Sequence, residues 1–165
     1  MSGKRQSYEA GHRPKFMVVI DGTPECSRAV HFASRRAART GASMIMLAVV
    51  DPPANFEWIG VGEAMVAEAR DEARKRLEEA AKEARNAAGV EPEKVIRVGD
   101  RAEAIFALIN EDEDISFLVL AAGSSKDGPG PLVSTLAGKA ASTFAIPIVI
   151  VPGRLTDEEI DALAG

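Results

Sequence analysis

The stretch FLVLAAGSSKDGPGPLVSTLAGKA, residues 117–140, predicts a strand, a loop and a helix in that order. Its apolar run ends at Gly123, a loop rich in Ser, Gly and Pro follows, and helix-compatible sequence resumes near Ser134. In a parallel α/β sheet, ligands bind beyond the carboxyl ends of the strands, where helix N-termini present unpaired N–H groups to anions. The loop therefore suits a phosphate, although Gly123, Gly128 and Gly130 would equally serve only to turn the chain.

Four more apolar runs of strand length alternate with helical sequence on either side of this stretch. The predicted strands are residues 16–20, 44–50, 95–98, 117–122 and 146–151, and helices are expected before residue 41, over 63–88, 102–110 and 134–143, and within 156–164. Because the strands are apolar throughout, the sheet should be covered on both faces. With right-handed crossovers, this predicts an α/β fold: an open five-stranded parallel sheet flanked by helices on both faces, in the nucleotide-binding, Rossmann-like order 3-2-1-4-5.

Capping residues mark the ends of two of these helices. Thr23 or Ser27 is expected to cap the first helix at its N-terminus, and Gly41 is expected to end it. Thr156 and Glu159 have the spacing of a capping box, which predicts a short closing helix. The first helix is therefore expected to begin near Thr23 or Ser27 and to end at Gly41, and the closing helix is expected to begin at Thr156.

The longest predicted helix is rich in Ala, Glu, Arg and Lys. Residues 54–62, with the single tryptophan Trp58, are expected to form a loop before it. Over 63–88, an apolar stripe that starts at Met65 is expected to face the core, and the charges are expected to face solvent. The shorter third helix is expected to turn Phe106 toward its inner face.

Length and composition indicate one globular domain. The chain has 165 residues, is 46% apolar and 27% charged, and lacks an apolar run of the roughly 18 residues that span a membrane. We expect a mobile N-terminal tail over residues 1–14, the α/β domain over 15–152, and a C-terminal segment with a short helix over 153–165. No membrane partner is expected.

The charge balance and the cysteine content bear on partners and location. A net charge of −5 argues against nucleic acid as a partner, because nucleic-acid binding normally needs a basic face. The N-terminal residues do not resemble a secretory signal, and the single Cys26 excludes an internal disulfide. Both observations predict a cytoplasmic protein.

The sequence does not match two common nucleotide-binding motifs. A Walker A loop needs a glycine where Val133 stands, and Ser or Thr where Ala140 follows Gly138 and Lys139. The turn after the first strand reads DGTPEC and lacks the glycine triplet of a dinucleotide-binding fingerprint. Neither a P-loop nor a dinucleotide site is therefore expected.

Residues that could bind a metal or act as a nucleophile are few. His12, His31 and Cys26 have neither the number nor the spacing of a zinc site. His31 is expected to be a packed or surface residue, and Cys26 is either a small buried thiol or a thiolate activated by a helix N-terminus. There is no nucleophile elbow, so no catalytic residue and no metal site are predicted.

Three segments resemble the universal stress protein family. VVIDGTPECSRAVHFA, residues 18–33, is similar to the family's Asp after the first strand with its small polar turn and helix. AVVDP, residues 48–52, resembles the end of the second strand, and STLAGKAASTFAIPIVIVP, residues 134–152, resembles the closing helix and last strand, with Pro147 at the usual proline. The resemblance covers residues 15–152 and implies a cytoplasmic stress-response protein that binds ATP, AMP or a related adenine nucleotide, with or without Mg²⁺.

The family's nucleotide loop is only partly matched. In nucleotide-binding members it runs Gly, two residues, Gly, nine residues, then Gly and Ser or Thr. Gly123 matches the first glycine, Lys126 replaces the second, and Ser134 with Thr135 stands at the terminal pair in a loop two residues short. By position, Ser134, Thr135 and Leu136 would offer amides or hydroxyls to the phosphate chain.

The resemblance implies a site at the crevice between the strand-one and strand-four loops. Asp21 would contact the ribose or adenine, and Val49 would present its backbone to the adenine. Ala122 and Gly123 would lie under the sugar and phosphates, and Lys126 would partly replace lost amide contacts with a point charge. The implied nucleotide-binding residues are Asp21, Gly22, Thr23, Val49, Ala122, Gly123, Ser124, Lys126, Ser134, Thr135 and Leu136.

The degenerate loop leaves three functions open. Hydrogen bonds to a charged group contribute about 1.5–3 kcal/mol each, so the loss of two amides would weaken phosphate binding about a hundredfold or more. The chain is either a nucleotide-binding stress protein, or a family member that does not bind ATP and acts through protein–protein interaction, or a slow ATP hydrolase on the same scaffold. The first two are favoured over the enzyme.

The resemblance also implies a homodimer that pairs through the last strand, Ile146 to Val151. An apolar edge strand would otherwise be an aggregation hazard, because its backbone donors and acceptors are open to another chain. If the protein is monomeric, the closing segment 156–164 is expected to cover this edge. The sequence does not identify a further protein partner.

Overall fold

Five strands and five α-helices alternate along the chain in the computed structural model, which describes residues 4–52, 59–124, 126 and 128–165. The strands are β1 (Lys15–Val19), β2 (Ser43–Val50), β3 (Glu93–Val98), β4 (Ile115–Ala122) and β5 (Ile148–Pro152). The helices are α1 (Cys26–Thr40), α2 (Ile59–Ala88), α3 (Arg101–Glu111), α4 (Pro131–Leu136) and α5 (Asp157–Ala164), and a 3₁₀ helix spans Lys139–Thr143. None of the described helices combines the length and the apolar character that crossing a membrane would need.

The strands form one parallel sheet in the order β3-β2-β1-β4-β5, which confirms the predicted fold class and strand order. β1 lies at the centre, with Val18 beside Met46 of β2 on one side and Val119 of β4 on the other. Because all strands are parallel, the loops that follow β1, β2 and β4 meet at one edge of the sheet. We call it the carboxyl edge.

Two apolar layers cover the sheet. Successive residues of a strand point to opposite faces, so Phe16 and Val18 pack with α1, α2 and α5, whereas Met17 and Val19 pack with α3 and α4. All four side chains are at most 4% exposed. Burial on both faces is the physical reason for the continuous apolar runs in the sequence.

The N-terminal cap predicted for α1 is wrong, and the C-terminal one is confirmed. Glu25 stands at the N-cap position, in a helical backbone conformation and without a side-chain capping bond. The hydroxyl of Thr23 donates instead to Asp21, and Ser27 already lies inside the helix. Gly41 ends α1 with φ of 76°, and its N–H donates to the carbonyl of Ala37.

α2 begins four residues before its predicted start, at Ile59. Residues 54–58 of the expected loop, including Trp58, lie outside the described residues. Met65 is 53% exposed, contrary to prediction, and the fully buried stripe begins only at Ala73. α2 has 30 residues and so measures about 45 Å, whereas the eight residues of β2 measure about 26 Å. The first turns of α2 therefore have little of the sheet to pack against.

Two predictions on the opposite face of the sheet are corrected. Phe106 is 39% exposed and packs against the ring of Phe144, with ring centroids 5.4 Å apart, while its neighbours in α3 fill the inner face. The single helix expected over 134–143 is instead α4 and the 3₁₀ helix, separated near Gly138. A Cβ at Gly138 would lie 2.8 Å from the carbonyl oxygen of Ser134, so the chain turns there with a glycine.

The closing helix α5 has the predicted capping box of Thr156 and Glu159. It packs against α1, where Ile160 is fully buried. Across this contact, His31 Nε2 lies 2.7 Å from Asp161 Oδ1. His31 therefore takes part in packing between two helices, as the sequence suggested.

Residues 4–14, predicted to be a mobile tail, lie against the body of the protein. The Arg5 Nη2 donates to the carbonyl of Ile109, at 2.7 Å, near the end of α3. His12 Nδ1 lies 2.7 Å from Asp114 Oδ1. These contacts connect the segment to the end of the sheet opposite the carboxyl edge.

Candidate functional site

The turn after β1 holds the first of the predicted site residues, Asp21. Oδ1 of Asp21 accepts hydrogen bonds from the Thr23 amide at 3.1 Å and from the Thr23 hydroxyl at 2.7 Å. The Ile20 amide donates to the carbonyl of Leu47 at 2.7 Å, which continues the pairing of β1 with β2 up to the turn. This arrangement holds the carboxylate at the carboxyl edge of the sheet.

A cleft of about 280 Å³ opens beside Asp21, between the ends of β1 and β2 and the middle of α2. We call it the β1–β2 cleft. Asp21 and Val49, both predicted site residues, line it together with Arg76 of α2 and Arg101 of α3. Its remaining wall includes the apolar residues Ile20, Ala48, Ala69 and Ala73, and the carboxylates of Asp51 and Glu72. An apolar wall with a few charged groups suits a ring that also forms hydrogen bonds.

Arg76 covers the backbone of the Asp21 turn. A Cβ at Gly22 would lie only 2.9 Å from Cζ of Arg76, and Gly22 has φ of 76°. Arg76 also lines a second cleft of about 370 Å³ between α1 and α2, which we call the α1–α2 cleft. Gly22 and Thr23 face this second cleft, so the predicted residues of one turn are divided between two neighbouring spaces.

Cys26 lines the α1–α2 cleft but is almost completely buried. Burial, together with the negative charge of Asp21, raises the pKa of the Cys26 thiol to about 12. The Sγ donates to the carbonyl oxygen of Val19 at 3.4 Å. At neutral pH the side chain is therefore a protonated thiol, which supports the small buried residue over the activated thiolate.

A third cleft, of about 610 Å³, lies between the loop after β1 and the loop after β4. We call it the glycine-loop cleft. Three predicted site residues line it: Gly123, Ser124 and Ser134. The other residues around it are Pro24, Glu25, Gly128, Gly130 and Pro131.

Two amides around this cleft already have partners within the protein. The Gly123 amide donates to the carbonyl of Pro129 within the loop, and the Ser134 amide donates to the carbonyl of Gly130 as the first hydrogen bond of α4, both at 3.0 Å. A phosphate-binding loop instead directs such amides toward the ligand. A phosphate would therefore have to displace these bonds to reach either amide.

Four other predicted residues do not line any of the three clefts. The carbonyl of Ala122 accepts a hydrogen bond from the Gly153 amide at 2.8 Å, at the end of the pairing between β4 and β5. Leu136 is fully buried in the core, and Lys126 and Thr135 are exposed. Their predicted contacts with a nucleotide stay predictions.

Sequence reasoning missed every charged residue of these clefts except Asp21, among them Glu25, Arg76 and Arg101. Arg101 follows the end of β3 by three positions, so its place at the carboxyl edge had a signal in the sequence. Arg76 follows the buried Ala73 by three positions, at the border of the apolar stripe. Glu25 had no comparable signal, since its place depends on the approach of the β4 loop.

Comparison with known proteins identifies a family for most of the chain. The sequence model of the universal stress protein family matches residues 12–152. None of the curated protein sequences matches this chain.

Solved structures with a similar fold come from the same family. The universal stress protein UspA from Lactobacillus plantarum has a TM-score of 0.70 and 16% identity, covering 84% of this chain and 97% of that chain. The universal stress protein from Archaeoglobus fulgidus in complex with dAMP has a TM-score of 0.60 and 16% identity, covering 84% and 96%. A universal stress protein in complex with cAMP has a TM-score of 0.59 and 22% identity, covering 85% and 97%.

Proposed function

The chain belongs to the universal stress protein family, and from this premise we propose that it binds an adenine nucleotide at the carboxyl edge of its sheet. The observation that carries the proposal is the β1–β2 cleft, where Thr23 holds the carboxylate of Asp21 beside an apolar wall. Two relatives of the same fold, crystallised with cAMP and with dAMP, support this class of ligand.

Each part of the β1–β2 cleft matches a part of an adenine nucleoside. The carboxylate of Asp21 accepts hydrogen bonds from ribose hydroxyls, and the apolar wall that includes Val49 packs against the base. The guanidinium groups of Arg76 and Arg101 lie in a lining that also holds the carboxylates of Asp51 and Glu72, and a guanidinium also stacks on an aromatic ring. The proposed role is binding rather than catalysis, because the thiol nearest the site, Cys26, is buried and protonated.

The proposal is tested by calorimetric titration of the nucleotide-free protein with adenosine, AMP and ATP. ATP is added together with Mg²⁺. Asp21→Ala should weaken binding at least about tenfold, since a hydrogen bond to a charged group contributes about 1.5–3 kcal/mol. Asp71→Ala removes a carboxylate from the exposed face of α2 and should leave the affinity unchanged. Equal affinities of the two variants would contradict the assignment of the β1–β2 cleft.

A second candidate is a protein that does not bind nucleotides and acts through a protein partner. The Gly123 amide favours it, because its bond to the carbonyl of Pro129 withdraws one donor that a phosphate chain would use. If titration gives no heat with any of the three ligands, and freshly purified protein releases no nucleotide on denaturation, this second function is supported and the first is wrong.

We further propose a cytoplasmic homodimer that pairs through β5. β5 is an edge strand whose Ile150 is 40% exposed, and α5 packs against α1. The opposite edge strand, β3, carries the exposed charges of Glu93 and Lys94, which discourage pairing with another chain. The free Cys26 supports a reducing compartment.

A further inference from the structure

We infer that Glu25 makes the glycine-loop cleft reject phosphate chains, so that the protein selects adenosine and AMP over ATP. The inference rests on the adenine-nucleotide binding proposed above and concerns the specificity of the same site. It follows from the position of one carboxylate, the way its backbone is held, and the charges on either side of the Asp21 turn.

The carboxylate of Glu25 lies where the glycines of the loop leave space. A Cβ at Gly123 would lie 3.1 Å from Oε1 of Glu25, and a Cβ at Gly130 would lie 4.0 Å from the same oxygen. Glu25 also lines the glycine-loop cleft beside Ser124 and Ser134. A negatively charged group of the protein therefore lies in the space that the sequence pattern offers to phosphates.

The backbone of Glu25 is held in place by neighbouring elements. Its carbonyl accepts a hydrogen bond from the Arg28 amide at 2.9 Å, in the first turn of α1. Its Cβ would lie 2.9 Å from a Cβ at Gly153, and the Gly153 amide is bonded to the carbonyl of Ala122. The main chain of Glu25 thus packs between α1 and the ends of β4 and β5.

The two clefts differ in whether cations balance their carboxylates. Arg76 and Arg101 line the β1–β2 cleft together with the carboxylates of Asp21, Asp51 and Glu72, whereas Glu25 is the charged residue that lines the glycine-loop cleft among the residues the structure describes. Lys126 is exposed and does not line the glycine-loop cleft. A phosphate chain that leaves the ribose toward the glycine loop meets a carboxylate of like charge, and the repulsion grows with each phosphate.

The test compares the wild-type protein with Glu25→Gln, which keeps the size of the side chain and removes its charge. Glu113→Gln removes the same charge near the opposite end of the sheet and is the matched control. Affinities for adenosine, AMP and ATP are measured by calorimetry without divalent cations. We expect the wild-type protein to bind adenosine at least as tightly as ATP, and Glu25→Gln to bind ATP about tenfold more tightly with unchanged affinity for adenosine.

Two outcomes of this titration would overturn the inference while leaving the proposed function intact. One is a wild-type protein that binds ATP more tightly than adenosine. The other is a Glu25→Gln variant with an unchanged ratio of ATP to adenosine affinity. An equal gain of ATP affinity in Glu113→Gln would assign the effect to net charge and would also count against Glu25.

Thermal unfolding with inorganic tripolyphosphate separates the inference from the proposed function, because this probe needs no adenine site. Tripolyphosphate should raise the melting temperature of Glu25→Gln and leave those of the wild-type protein and Glu113→Gln unchanged. This result supports the role of Glu25 even if the wild-type protein binds no adenine compound. The same shift in all three proteins, or none in Glu25→Gln, overturns the inference.

Discussion

Gly22 is the residue on which the geometry beside Asp21 depends most directly. Its φ of 76° lies in the left-handed region, which costs an L-residue about 1–2 kcal/mol. The guanidinium of Arg76 lies where a Cβ would be, so a side chain at this position would also push Arg76 away. The glycine thus allows the turn and brings Arg76 over it.

Gly22→Ala is expected to separate these two effects when it is compared with Gly41→Ala. Gly41 has the same φ of 76°, but a Cβ there meets no atom within 4 Å. Both variants should lose about 1–2 kcal/mol of unfolding free energy, measured by urea denaturation. Only Gly22→Ala should also weaken adenosine binding, because only this variant displaces Arg76. Unchanged affinity in Gly22→Ala would exclude Arg76 from the site.

At the scale of elements, the helices α1, α2 and α5 meet around a charged group that is partly buried. Burial raises the pKa of the Glu83 carboxyl of α2 above its ordinary value of 4.5, against the lowering effect of Arg28 on α1. The charges of Glu79 on α2 and Asp157 on α5 raise it further, whereas His31 on α1 lowers it. The ionised form of Glu83 therefore opposes the packing of these helices.

The sign of the pH dependence follows from this direction. A carboxyl whose pKa is raised by folding stabilises the fold below its unfolded pKa, and this contribution is lost as pH rises through the folded pKa. Glu83→Gln should therefore raise the melting temperature at pH 7, by a few degrees at most because the group is partly solvated. The gain should fade as pH decreases toward 4.5 and below.

Thermal unfolding between pH 4 and pH 8 measures this effect. Glu68→Gln, on an exposed position of the same helix, is the control and should show little change at any pH. A lower melting temperature of Glu83→Gln at pH 7 would mean that the attraction of Arg28 outweighs the burial of the carboxylate.

At the scale of the whole molecule, the two edge strands of the sheet differ in how strongly they discourage pairing with a second chain. β3 carries charged residues along its edge, whereas β5 consists of apolar residues and ends in a proline. Ile150 of β5 is 40% exposed and Val98 at the end of β3 is 39% exposed, so the two positions can be compared by the same substitution. Their substitution distinguishes a dimer through β5 from one through β3.

Ile150→Lys is expected to convert the proposed dimer to a monomer, because a charge in the centre of an apolar strand would be buried without a partner. Val98→Lys should leave the dimer intact. Light scattering at micromolar protein concentration measures both masses. A monomeric wild-type protein would refute the pairing through β5, and a monomeric Val98→Lys would place the interface at the other edge.

The sequence by itself determined the elements whose signals are local. A strand buried on both faces needs a continuous apolar run, so the five runs located the five strands. Right-handed connections left few strand orders, and the nucleotide-binding order chosen among them is the one observed. Thr156 and Glu159 are three residues apart and form the capping box of α5. Gly41 ends α1 with a hydrogen bond to the carbonyl of Ala37, only four residues away. The family resemblance, confirmed over residues 12–152, also follows from these strand endings.

Only the tertiary structure decided what the loops and helix faces do with their polar groups. Thr23 bonds Asp21 instead of capping α1, and residues 4–14 lie against the end of α3 through Arg5. Glu25 is separated by about a hundred positions from Gly123, the glycine beside which its carboxylate lies. Such contacts depend on how the helices are rotated and on which loops approach one another. The sequence between two contacting residues has no periodic pattern that would predict their contact.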